Sequence, residues 1–128
     1  MLKFCEITHS YSIEFEEKDK DCLHVFFIST TGQGDPPYKM REFWKKLLQK
    51  NHRSLSGYKF SIFGLGDRGY GDNYNLCARK LRQRLVMLGG EEIDEISLGD
   101  EQDQGGCWET YLKEFLPRLK KYISLNKQ

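Results

Sequence analysis

The sequence predicts an α/β domain built on a doubly wound parallel sheet in three layers. Two observations carry this. Apolar, β-rich runs of strand length alternate with segments whose apolar residues recur at helical spacing. Each strong run also stops in a loop rich in glycine and small polar residues, where a parallel strand hands the chain to its crossover helix.

Residues 2–7 alternate apolar and polar, as a half-buried strand does. Residues 14–21 are almost wholly charged and read as a solvated connection. Leu23, Val25, Phe26, Phe27 and Ile28 then form a near-continuous apolar run, expected of a parallel strand covered on both faces. It ends at Ser29-Thr30-Thr31-Gly32-Gln33-Gly34-Asp35-Pro36-Pro37. Met40, Phe43, Trp44, Leu47 and Leu48 share one side of a helix predicted from just after Pro37 to near Asn51.

A second apolar run, residues 58–65, ends in the glycine-rich stretch 64–73. Tyr74, Cys77, Ala78, Leu81, Leu85 and Leu88 write the next helix, stopped at Gly89-Gly90, where glycine takes left-handed dihedrals cheaply. Residues 93–98 predict a third strand, followed by the loop 99–106. The last helix places Trp108, Tyr111, Leu112, Phe115, Leu116 and Leu119 on one face. Pro117 lies inside it and predicts a kink or restart, because proline has no N–H to donate.

The 128 residues, 38% hydrophobic, suffice for one domain with a core, spanning 1–128. Twenty Lys and Arg against nineteen Asp and Glu leave a net charge of +1, which gives no bulk argument for nucleic acid or a membrane surface. No apolar run approaches the roughly 20 residues that span a bilayer. Cys5, Cys22, Cys77 and Cys107 are scattered and no signal peptide is visible, so a reducing cytoplasm is the expected location. His9, His24 and His52 are too dispersed for a metal site, and no nucleophile and base set appears, so no catalytic or metal-binding residues are nominated.

In an open parallel sheet, ligands sit outside the carboxyl ends of the strands, which here are the three loops. The first combines hydroxyl residues with Gly32 and Gly34, so its backbone N–H groups can approach a flat ligand; the plainer reading is an ordinary strand-to-helix turn. In the second, Tyr70 could project as a ring on which a planar ligand stacks, or be only a surface tyrosine. Gly64, Gly66 and Gly69 also spell G-x-G-x-x-G, the dinucleotide fingerprint, but mid-chain rather than in an opening βαβ unit, so NAD is the minor alternative.

Three motifs, Ser29 to Pro37 with Met40 and Phe43-Trp44, then Gly64-Leu65-Gly66-Asp67 with Tyr70, then Leu98-Gly99-Asp100-Glu101-Gln102, stand in an order and spacing that resembles a known family. The chain is similar to the FMN-binding, flavodoxin-like domain of NADPH-dependent diflavin reductases. Within that family it looks most like the soluble reductases of cytosolic iron–sulfur protein assembly. The resemblance implies that Ser29, Thr30, Thr31 and Gly32 line one side of FMN. Leu65, Gly66, Asp67, Arg68, Gly69 and Tyr70 would line the other, with Asn75 closing the second motif and Glu101 at the acidic position of the third. It also implies electron transfer from an FAD and NADPH module to an acceptor redox protein, such as an iron–sulfur assembly protein. The chain alone is not expected to be a complete reductase.

The sequence departs from the family in two places. Tyr70 to Asn75 is one residue longer, and Arg68-Gly69 stand where the family has small hydroxyl residues. The family's opening strand, phosphate-cradling loop and first helix have no counterpart ahead of residues 2–7, so weakened FMN binding is expected, and the 23–28 strand must pair with the N-terminal strand or leave an apolar edge. That opening leaves a second reading, a flavin-free protein-interaction module. Glu91, Glu92, Asp94, Glu95, Asp100, Glu101 and Asp103 gather around the third loop, either as plain solvated charge or as a docking rim near Asp100 and Glu101 for a basic partner. The basic helix face at 79–84 reads as solvation.

Overall fold

The computed structural model describes residue 15, residue 20 and residues 22–126. The expected strand at residues 2–7, and with it the pairing of the outer edge of the 23–28 strand, lies outside the described residues. The described elements, in order, are strand β1 (Leu23–Ser29), helix α1 (Arg41–Leu47), strand β2 (Lys59–Leu65) and helix α2 (Leu76–Met87). Short strands β3 (Glu91–Glu92) and β4 (Ser97–Leu98) and helices α3 (Gly106–Thr110) and α4 (Leu116–Leu125) complete them.

The sheet is parallel, with β2 at its centre. β1 pairs along its whole length from Leu23 opposite Lys59 to Ser29 opposite Leu65. β3 pairs with Lys59 and Phe60, and β4 with Phe63 and Gly64. Of the predicted strand at 93–98 only Ser97–Leu98 pairs, and a separate short pairing precedes it at Glu91–Glu92, outside the predicted range. Between them residues 93–96 leave the ladder, and Asp94 there meets Arg118 at 2.9 Å.

Alternation along the strands sends side chains into two cores, one per face. Phe26, Ile28, Phe60 and Ile62 pack with Phe43 and Leu47 of α1 and Leu81 and Leu85 of α2. Phe63 packs on the other face with Cys107 and Phe115, joined by Val25, Tyr111 and Leu119. Each fully buried Leu, Ile or Phe contributes about 1.5–3 kcal/mol of transfer free energy, so the two faces together fix the strand register. Phe15 belongs to the first core, its ring 5.2 Å from His24 and 5.3 Å from Tyr58. Phe15, which the sequence placed in a solvated connection, is thus a core residue that no periodicity announces.

Two helices differ from the periodicity. A 3₁₀ turn at Tyr38–Met40 leads into α1, which stops at Leu47 rather than near Asn51, leaving Leu48 exposed. Arg84 of α2 explains the early end: its Nε donates to Leu47 O at 2.7 Å and its Nη2 to Gln49 O at 2.9 Å, satisfying carbonyls that a longer helix would otherwise use. At Pro117 the expected interruption is a π-helical turn over Tyr111–Phe115, after which α4 begins with the proline in its first turn. The wider turn rotates the register, so Trp108 is 64% exposed and stacks on Tyr111, with ring centroids 5.5 Å apart, instead of joining Phe115 in the core.

Candidate functional site

The loops after β1, β2 and β4 meet at the carboxyl ends of the strands, and hydrogen bonds tie each to its neighbour. The first loop closes on itself through Thr31, whose N–H and Oγ1 both donate to Asp35 O at 3.0 Å, and through Gly34 N–H, which donates to Thr31 O at 2.9 Å. Gly34 takes φ +82°, a left-handed value that suits glycine, and a Cβ there would lie 3.1 Å from Leu76. Thr30 is buried, and its Oγ1 accepts from Cys77 N–H at 3.1 Å. A residue of the first loop thereby caps the amino end of α2, where backbone donors lack helical partners.

The second loop turns twice. Asp67 Oδ1 accepts from Gly69 N–H at 2.8 Å, and Tyr70 N–H donates to Asp67 O at 3.0 Å, a tight turn that carries Tyr70 to the surface, 47% exposed. Gly71, at φ 61° and ψ −125°, then breaks the 3₁₀ segment and sends the chain back inward. Asn75 follows at φ 51°, 1% exposed, its Nδ2 donating to Gly99 O at 2.9 Å. Its Oδ1 is buried without a hydrogen-bond partner. Tyr74 reaches the same neighbour, its hydroxyl donating to Leu98 O at 3.0 Å; burial and the nearby Asp100 carboxylate push that hydroxyl's pKa up.

The third loop carries the charge. Asp100 is 5% exposed, and its Oδ1 accepts from Gln102 N–H at 2.9 Å and Arg68 N–H at 3.1 Å. Arg68 Nη1 lies 3.2 Å from Asp100 Oδ2 and 3.0 Å from Asp103 Oδ1. Burial pulls the Asp100 carboxyl upward, but those two backbone donors and the guanidinium outweigh it and hold its pKa below the ordinary carboxylate value. Gln102 Nε2 donates to Asp67 Oδ1 at 2.9 Å, a second tie to the Tyr70 turn. Glu101 is exposed, and its Oε1 accepts from Cys107 N–H at 3.3 Å at the start of α3. The Cys107 thiol, buried and beside the Glu101 carboxylate, is pushed up to about 11.

The twelve residues singled out for a cofactor are brought to one end of the sheet, but their side chains face different ways. Thr31, Gly32, Leu65, Arg68, Gly69, Tyr70 and Glu101 are exposed, and Ser29 and Asp67 are half-buried. Thr30, Gly66 and Asn75 are buried, with the Thr30 and Asn75 side chains bonded to neighbouring loops. Asp100, expected at a docking rim, is buried and paired. Arg82 and Arg118 likewise pair Glu92 and Asp94, which leaves Glu101 and Asp103 as the exposed acids of this loop. The sequence reading missed Asp100, Gln102 and Cys77 as bracing groups, because each acts across 32 or more residues of chain.

Tyr70 and Gly32 stand side by side where the first two loops meet. A Cβ on Gly32 would stand 4.0 Å from Tyr70 Cε1, so the two loops come within van der Waals contact here. The N–H groups of Gly32 and Gln33, both exposed residues, find no acceptor among the described residues. These features fit the ring of FMN; among the described residues no comparable cradle is seen for its phosphate. A cavity of about 70 Å³ between Gly34, Asp35, Met40, Trp44 and Cys77 lies behind the first loop and is too small for a tricyclic ring. No group of acidic, histidine or cysteine residues among the described ones could hold a metal ion, and no helix is long and apolar enough to cross a membrane.

The flavodoxin family model matches residues 5–115. A protein of Arabidopsis thaliana named NADPH-dependent diflavin oxidoreductase 1 is 48% identical over 84 residues, covering 64% of this chain and 13% of the relative. Its namesake in Mus musculus is 40% identical over 89 residues, covering 68% and 15%. The match to the relatives from these two species thus takes in 13% to 15% of their length. A cysteine-to-alanine mutant of flavodoxin from Pseudomonas aeruginosa superposes with a TM-score of 0.64 at 22% identity, covering 80% of this chain and 67% of the other. Oxidised flavodoxin 1 from Bacillus cereus gives 0.63 at 19% identity, covering 80% and 64%.

Proposed function

The chain belongs to the flavodoxin family, and on that premise we propose that it is an FMN-dependent electron-transfer domain of the diflavin-reductase type. The observation that carries the reading is the exposed Tyr70 ring set beside side-chain-free Gly32, where two loops and unbonded N–H donors converge. FMN would supply the redox chemistry when bound. The chain's own residues would then do three things. Tyr70 offers a face for stacking, Gly32 and Gln33 offer donors to the ring edge, and the cross-tied loops hold both in place before a ligand arrives.

Electrons would come from an FAD and NADPH module and pass to an acceptor redox protein, an iron–sulfur assembly protein being the acceptor that the family resemblance suggests. Glu101 and Asp103 offer negative charge for docking beside the ring, a role that steers encounter more than it adds affinity. The cytoplasm is the compartment proposed with this function.

The test is to purify the chain with added FMN, remove free ligand, and record the visible spectrum and the FMN released on heating. Near-stoichiometric yellow protein is the expected result. Colourless protein with a folded circular dichroism spectrum overturns the flavin reading in favour of the interaction module.

A further inference from the structure

Residues 91–103 contain seven carboxylates and no lysine or arginine, so any cation within this segment must arrive from elsewhere in the chain. Arg82 reaches Glu92 and Arg118 reaches Asp94, both at the far side of the segment from Tyr70. At the near side the cation is Arg68. Its Nη1 bridges Asp100 at 3.2 Å and Asp103 at 3.0 Å, while its backbone N–H donates to Asp100 Oδ1.

We propose that Arg68 is a positioning residue, whose guanidinium, by clamping Asp100 and Asp103, latches the second loop to the third and fixes the Tyr70 platform. The role at the platform rests on the flavin reading above; the latch itself does not.

Beyond the hydrogen bonds of Asp67 and Gln102, the turn it restrains has little to hold it. Gly69 and Gly71 flank Tyr70, and glycine loses more backbone freedom on ordering than any other residue. Tyr70 is half-exposed and so gains little from packing. The anchor, by contrast, is firm, because Asp100 is buried and its Oδ1 also accepts from Gln102 N–H. A planar guanidinium suits one cation shared by two carboxylates, whereas an ammonium meets them as a point charge. The small hydroxyl residues that the family resemblance places at this position could not reach Asp103, so the clamp follows from this chain's own departure.

Amide hydrogen exchange on the full, ligand-free chain tests the latch, comparing wild type, Arg68→Ser and Arg68→Lys. In Arg68→Ser, exchange at Gly69, Tyr70 and Gln102 is expected to rise roughly tenfold while the core strands keep their protection. Arg68→Lys should recover only part of that protection at low salt, and added salt should speed exchange in wild type but not in Arg68→Ser. Since the Arg68 side chain is 61% exposed, the serine variant removes no core packing. FMN titration of the same three proteins should rank wild type first and Arg68→Ser last.

Unchanged exchange in Arg68→Ser, or full recovery in Arg68→Lys with no greater salt sensitivity than Arg68→Ser, overturns the latch. If exchange behaves as expected but wild type binds no FMN, the latch stands and the flavin reading falls. If wild type and Arg68→Ser bind FMN equally with equal exchange, the latch falls alone.

Discussion

The amide of Asn75 fills the space where Gly66 has no side chain: a Cβ on Gly66 would lie 2.4 Å from its Oδ1 and its Nδ2. A Cβ on Gly64 would also come within 2.4 Å of Oδ1. The two glycines at the mouth of β2 therefore admit a protein side chain, which in turn holds the third loop through Gly99.

Gly66→Ala should cost about 1–3 kcal/mol by overpacking against Asn75. Asn75→Ala should cost a similar amount by removing the buried bond to Gly99 O. Because both act through one contact, the double variant should cost clearly less than the sum. Urea unfolding of the four proteins measures the coupling, and strict additivity would show that the amide does not occupy the glycine's space in solution.

Thr30→Val keeps the shape of the side chain and removes the acceptor for Cys77 N–H, so a loss of about 1–2 kcal/mol is expected, with Thr30→Ser close to wild type. The same unfolding measurement checks it. Equal stability of the valine variant would show that the amino end of α2 is satisfied without Thr30.

Two groups set the pH limits of the loops, with opposite signs. Asp100 has a folded pKa below its ordinary value of 3.8, so its stabilisation is present above that value and is lost as pH falls through the depressed one. Protection of the Arg68 and Gln102 amides should accordingly persist at pH 4 and disappear only in stronger acid. The Cys107 thiol, raised from 9.0 to about 11, contributes stability that is full below pH 9 and lost as pH climbs toward 11. Cys107→Ala should flatten that part of the alkaline decline, read as unfolding midpoints across pH 8 to 11.

The strand–loop–helix order was legible in the sequence because it rests on apolar periodicity within windows of a dozen residues. The second helix ends at Met87 with Leu88 as its cap and Gly89 just beyond, close to where the spacing placed the stop, although it starts at Leu76 and leaves Tyr74 in the loop. What escaped depends on contacts between distant segments. Leu48 has the spacing of a core residue yet is exposed, because Arg84 from the next helix closes α1 one residue earlier. Trp108 has the same spacing, but the π turn rotates it out. At the site, the loops and the exposed Tyr70 follow from composition, whereas the inward turn of Thr30, Asn75 and Asp100 does not. Each of those three is a polar residue in a polar loop, and only the neighbouring loop supplies its partner.

The most direct test is an FMN fluorescence titration of wild type and Tyr70→Ala. Wild type should quench FMN emission and saturate, and the alanine variant should bind roughly two- to tenfold more weakly, the worth of one aromatic stack. Its unfolding midpoint should be unchanged, since the ring is already 47% exposed. No quenching by a folded wild type, or equal binding by the two proteins, would contradict a flavin site built on Tyr70.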